Sequence, residues 1–199
     1  MIDNKEVSGL SIIDIDHIGD RLMTQALRKD PLLAFAQLLV GALAGLFAFA
    51  GIMVAIGLGA VATVQRDYVF AKLAAAGASE KGYGAVLFAL FLITILMALG
   101  AYFMRELLRI VRSVEEGDPF RPFNADRLRR MGWNTVASQL ILFALAAIAQ
   151  SFGGYRQALL AEDAMMAGFS ALLLTLILFI LARVFRVGAE MRSELEGTV

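Results

Sequence analysis

The sequence predicts an all-α polytopic membrane protein with four transmembrane helices. The second and fourth are expected to continue as helix into the cytoplasm. Three observations carry the prediction. The 199-residue chain is 59% hydrophobic and only 18% charged, against about 45–50% apolar and about 25% charged in a soluble domain. The charges are unevenly placed: Leu32–Val64, Gly84–Met104, Trp133–Tyr155 and Ala164–Ala182 contain none. Each run provides the roughly 20 apolar residues that a spanning helix needs. Finally, these runs lack the polar outer face that a soluble bundle requires.

Residues 1–31 form an N-terminal segment, and 32–199 a four-span membrane domain with spans at about 35–62, 84–104, 133–153 and 164–184. In the first segment, DIDHIGDRLMTQALRKDP reads as a surface helix: Ile15, Ile18, Leu22 and Ala26 recur at helical spacing, and Pro31 follows as a stop. Asp14 or Asp16 suits its start, and Arg28 and Lys29 suit its end. An apolar face beside a span suits the membrane interface. The segment is too short for a helix-turn-helix domain, so no direct nucleic-acid contact is expected.

The first apolar run would measure about 50 Å as a helix, longer than the roughly 30 Å hydrocarbon core, so tilt, bending or projection is expected. Its Gly41-Ala-Leu-Ala-Gly45 permits close helix approach. Residues 65–83 read as an outer loop. Span two is expected to run on as helix to about Glu116, stacking Arg105, Arg109 and Arg112 on one face. A short second outer loop covers about 154–163, and span four is expected to reach about Glu196. The ends of spans two and four echo each other (LLRIVRSVEEGDPF and VFRVGAEMRSELEGTV), the pattern of a pair of hairpin repeats.

Both termini and the central loop together carry 14 Lys and Arg, and the other side carries 4. By the positive-inside bias the termini are expected in the cytoplasm. No cleavable signal peptide is expected, since the first 30 residues hold six acids before a long apolar run. No lipidation is expected either: Ile2 stands where myristoylation needs glycine, and the last residues read GTV.

Catalytic candidates are absent. There is no cysteine, and the single histidine, His17, lies on the surface helix. HExxH, GxSxG, P-loop and CxxC patterns are missing. No catalytic, cofactor-binding or metal-ligating residue is assigned, and no enzyme activity is expected. The span cores hold no ionisable residue, which argues against a coupled transporter. Gln37, Thr94, Tyr102, Ser138, Gln139, Gln150, Ser170 and Thr175 are expected to bond between helices.

The most distinctive stretch is GDPFRPFNADRLRRMGW, residues 117–133. Gly117 suits a left-handed helix cap, and Pro119 blocks continuation. Asn124 suits the cap of a new helix starting at Ala125. Leu128 and Met131 share one face of that helix, and Arg127 and Arg130 another. Trp133 falls where an indole favours the headgroup level. Phe120 and Phe123 flank Pro122 on the cytoplasmic side, facing either the bilayer or neighbouring helix ends.

At these residues the chain resembles an uncharacterised family of bacterial four-span membrane proteins, domain of unknown function 2975. The shared pattern is Gly117, Pro119, Phe120, Asn124, Arg127, Leu128, Arg129 and Gly132. A second stretch, Val184, Phe185, Gly188, Glu190, Glu194, Thr198 and Val199, resembles the family's end. The resemblance is expected to extend from about Leu32 onward. It implies a bacterial inner-membrane protein with no established activity, encoded beside a small helix-turn-helix regulator that it could bind.

The sequence thus points to a regulatory or partner-binding membrane protein. Phe120, Arg121, Phe123, Arg127, Arg130, Glu190 and Glu194 are the candidate contact residues, because aromatic and arginine side chains recur at interface hot spots. The acids of the last helix could pair with the loop's arginines or with a partner. The expected partners are the lipid bilayer, a cytoplasmic protein and, for some functions, further copies of the chain. The alternative is an oligomeric channel or small-solute permease, in which Gln37, Gln139 and Gln150 would converge on one axis.

Overall fold

The computed structural model describes residues 31–75, 81–117, 119–151 and 162–196. The expected surface helix before Pro31, residues 154–161 of the second outer loop, and Thr198 and Val199 lie outside them; Glu162 and Asp163, also read as loop, open the last helix. All described elements are helical: α1 (Pro31–Thr63), α2 (Arg66–Ala75), α3 (Lys81–Glu115), α4 (Pro122–Ser151) and α5 (Glu162–Glu196). Four of these, α1, α3, α4 and α5, are long and apolar enough to cross a membrane.

The helices pair as successive antiparallel neighbours. At one end of the α1–α3 pair Gln37 Nε2 donates to Glu115 Oε2, and at the other Tyr83 OH donates to the Val61 carbonyl at 3.0 Å. In the α4–α5 pair, Asp126 meets Arg186 and Gly132 lies under Phe179. The α3–α4 contact joins the two hairpins: Asn134 Nδ2 donates to the Leu99 carbonyl at 2.9 Å, a bond from a buried side chain that the sequence reading did not anticipate. The two echoing segments end α3 and α5, the second helix of each hairpin, on the side of the central turn.

The buried core gathers at that same end. Ile110 of α3, Leu128 and Met131 of α4, and Leu178 and Ala182 of α5 form one cluster. Helix α1 has no buried residue; its outward side chains face the hydrocarbon that a spanning helix meets. The fold therefore holds its tightest packing where α3, α4 and α5 converge, and leaves the apolar surface elsewhere to lipid.

Several local expectations change. Helix α1 runs unbroken through its glycines. Gly41 and Gly45 approach no other element; close approach occurs instead at Gly51, against Met97, and at Gly100, under the Phe47 ring. Residues 65–83, read as loop, contain α2. Its sequence RDYVFAKLAA has no glycine or proline, and its i,i+4 pairs reinforce it: Arg66 lies 5.6 Å from the Phe70 ring centroid and Lys72 5.7 Å from that of Tyr68. Phe70 then stacks on Tyr83 at 4.6 Å, tying α2 to the start of α3. Thr94, Ser138, Ser170 and Thr175 bond back to the carbonyl four residues earlier in their own helix, not between helices. An i−4 carbonyl is always within reach of a helical hydroxyl.

Candidate functional site

Helices α3 and α4 are joined by a turn whose backbone is set by residue type. Gly117 takes φ +76°, the left-handed conformation that glycine adopts at no steric cost. Its N–H donates to the Val114 carbonyl at 3.0 Å. Pro122 then opens α4, where a missing N–H costs nothing and the fixed φ suits a helix. The helix thus starts three residues earlier than expected, and Asn124 is not its cap. Proline at the first helical position outcompetes the Asx cap.

Asn124 does something else. It is fully buried, and its side chain ties the turn shut. Nδ2 donates to Ser113 Oγ at 2.6 Å and to the Pro119 carbonyl at 2.9 Å, and Oδ1 accepts from Arg127 Nη1 at 2.9 Å. Ser113 Oγ in turn donates to the Ile110 carbonyl at 2.7 Å. One side chain thereby fixes the end of α3, the turn and the start of α4.

Beside it lies an acid that the sequence reading missed. Glu106 is 1% exposed. Its Oε1 accepts from Arg109 Nη1 at 2.7 Å. Its Oε2 faces Arg127 Nε at 3.7 Å and Arg130 Nη2 at 3.8 Å, within Coulombic reach but beyond hydrogen-bond length. Two arginines expected to face a partner, Arg127 and Arg130, are thus directed at a carboxylate of the same chain. The signal was present: Glu106, Ile110 and Ser113 recur at helical spacing and all three are buried.

The remaining candidates divide by position. The Phe120 ring lies over Gly188, so close that a Cβ there would sit 2.7 Å from it, and 5.3 Å from the Phe185 ring. Residues of the two resembling stretches thus meet in this chain: the turn's phenylalanine seats on the last helix's glycine. Gly132 admits the Phe179 ring in the same way, with Trp133 edge-on at 5.8 Å. Arg121 pairs with Glu116 at 2.6 Å. The ion pair joining the start of α4 to α5 runs from Asp126 to Arg186 at 3.3 Å. Glu190 and Glu194 are exposed on α5. Phe123 is 71% exposed.

These positions set levels along the membrane normal. Arg105 directly follows the charge-free part of α3, and the antiparallel α3–α4 register (Leu99 with Asn134, Ser113 with Asn124) places it level with Leu128–Gly132, within about a turn of Trp133. An arginine and an indole within a turn of each other mark the headgroup region. Phe123 lies ten residues before Trp133 on α4, about 15 Å further toward the water. Gln37 is engaged by Glu115 at the turn end, whereas Gln150 lies at the far end of α4. With Gln139 between them, the three glutamines spread over the height of the protein.

No group of three or more His, Cys, Asp or Glu suited to a metal occurs among the described residues. No curated protein and no solved structure matches the chain. The family model described as "Protein of unknown function (DUF2975)" matches residues 73–199. The match begins near the end of α2, so α1 lies ahead of it, a shorter reach than the one expected from Leu32. It takes in the turn, the Asn124 tie, the Glu106 cluster and the Phe120–Gly188 seat, and the chain belongs to the DUF2975 family.

Proposed function

We propose that this multi-pass membrane protein is a partner-binding regulator of a bacterial inner membrane, presenting its central turn and the end of α5 to the cytoplasm. The observation that carries the reading is Phe123: a large apolar side chain, 71% exposed, about 15 Å beyond the headgroup level. The backbone beneath it is already fixed by Asn124, Phe120 and Pro122. A preordered turn loses little entropy on binding, and an exposed aromatic beside Arg121 has the composition of a hot spot. Arg127 and Arg130 support this surface through Glu106. A small helix-turn-helix regulator, suggested by the family resemblance, is the partner to test first.

Pull-down of the intact protein against Phe123→Ala is the direct experiment. Phe120→Ala is unsuitable, because it also removes the contact with Gly188 and Phe185. We expect wild type to retain a discrete cytoplasmic protein and Phe123→Ala to retain at least about tenfold less, as loss of roughly 1.4 kcal/mol requires. Equal retention by both forms, or none by wild type, would end the docking reading.

Orientation has its own test. Glu116→Cys, at a side chain 57% exposed, should resist an impermeant thiol reagent in intact cells. Asp67→Cys, exposed on α2, should react. The reverse pattern would place the turn outside.

A further inference from the structure

Between α1 and α3 lies an open groove of about 500 Å³. Small residues from both helices line it: Ala48, Gly51 and Ala55 from α1, Ala98 and Ala101 from α3. Its polar groups are segregated. Tyr102 and Arg105, three residues apart on one face of α3, stand at the end nearer the turn. Thr94 stands toward the other end, but its hydroxyl already donates to the Leu90 carbonyl at 2.9 Å, so that end presents no free donor from it. The groove is polar at one end and apolar along its length.

Its dimensions match one leaflet. From Arg105 to Thr94 is eleven residues of helix, about 16 Å, against about half of a 30 Å hydrocarbon core. Arg105 sits within about one turn of the headgroup level marked by Trp133. Its guanidinium also differs from those beside it: Arg109, Arg127 and Arg130 face Glu106, whereas Arg105 has no ion pair or hydrogen bond among the described residues. An uncompensated guanidinium at headgroup depth, above a chain-length apolar groove, complements an anionic amphiphile. Guanidinium binds phosphate oxygens in a fork that matches their geometry, and a net-negative headgroup adds attraction that a zwitterionic one cancels with its own cation.

We propose that this groove is a binding site for one anionic phospholipid of the leaflet on the turn side. One acyl chain lies along Ala98 and Ala101, and the phosphate sits at Arg105 with Tyr102 beside it. The site is separate from the Phe123 surface and does not depend on the partner-binding reading.

The test is native mass spectrometry of the full-length, delipidated protein in detergent, titrated with dioleoyl phosphatidylglycerol, dioleoyl phosphatidylcholine or oleate. We expect a single phosphatidylglycerol adduct at a concentration about tenfold below that needed for phosphatidylcholine, a difference of about 1.4 kcal/mol. Arg105→Gln should erase the preference, and Ala98→Phe, which fills the groove, should reduce the adduct by a similar factor. Arg129→Gln, an exposed arginine outside the groove lining, should leave it unchanged. If Ala98→Phe fails to fold, Ala55→Phe fills the same groove from α1. Equal binding of the two phospholipids overturns the proposal, as does an unchanged preference in Arg105→Gln. Loss in Arg105→Gln with full binding by the groove-filling variant would leave a headgroup contact without a chain site, and also overturns it. Oleate bound more tightly than phosphatidylglycerol would make the ligand a fatty acid and refute the phospholipid assignment.

Discussion

Glu106→Ala should destabilise the protein by about 2–3 kcal/mol, read as a loss of unfolding free energy in mild detergent. Removing one member of a buried ion pair typically costs about 3–5 kcal/mol, because the partner's charge is left uncompensated. Here the acid is buried, but the arginine side chains are 39%, 24% and 53% exposed for Arg109, Arg127 and Arg130. Water can solvate part of what the carboxylate now neutralises, which places the expected cost at or below the lower end of that range. Glu106→Gln keeps the volume and leaves an amide oxygen for Arg109, so it should cost roughly half as much. Arg109→Ala should cost less again, since two guanidinium groups would still face the acid. The order alanine, glutamine, then Arg109→Ala is the signature of a carboxylate holding several cations. Wild-type stability in Glu106→Ala would show that the arginines are held by something else.

The same cluster holds α3 and α4 together at the water–membrane boundary. Their contact is smaller than those of α1 with α3 or α4 with α5, and lipid does not press on it at the turn. Glu106, Arg127 and Arg130 supply electrostatic attraction across it, while Ile110, Leu128 and Met131 supply burial. A charge cluster costs desolvation, but at the water–membrane boundary its exposed arginine faces recover much of their hydration.

The helices were legible in the sequence because hydrocarbon imposes a simple rule: about 20 uncharged residues give one span. The continuation of α3 to Glu115 followed from its stacked arginines, and the expected reach of the last helix to about Glu196 matches α5. The left-handed Gly117 followed from its place before Pro119. What the sequence hid was pairing. Arg127 and Arg130 read as contacts for a partner or for the acids of the last helix, because the acid they face lies about twenty residues upstream on α3, and single-helix periodicity cannot show which acid a cation meets. Asn124 read as a cap because caps are local, whereas its bonds reach back to Ser113. Gly188 and Gly132 gave no local reason for being glycine; their reason is a ring on a facing element, Phe120 or Phe179. The α2 helix was hidden by its charges, since a charged stretch between two spans reads as loop unless its i,i+4 pairs are weighed.

Asn124→Ala should cost about 2–3 kcal/mol. The substitution removes three side-chain hydrogen bonds at a fully buried site. The Pro119 carbonyl loses a donor, and a buried polar group left unpaired costs about 1–3 kcal/mol. Ser113 keeps its bond to Ile110, and Arg127 can turn toward Glu106, so the penalty falls mainly on the turn. Asn124→Asp separates a hydrogen-bond role from a steric one. It preserves shape and the acceptor for Arg127, but sets a carboxylate oxygen against the Pro119 carbonyl where a donor now stands. It should therefore be no more stable than Asn124→Ala, whereas a purely space-filling asparagine would tolerate aspartate. Because Arg127 touches both Asn124 and Glu106, the two sites share a partner, and the double variant Glu106→Gln/Asn124→Ala should depart from additivity by at least about 0.5 kcal/mol. Additive losses would mean that the turn and the charge cluster are independent, and that Arg127 does not link the end of α3 to the start of α4.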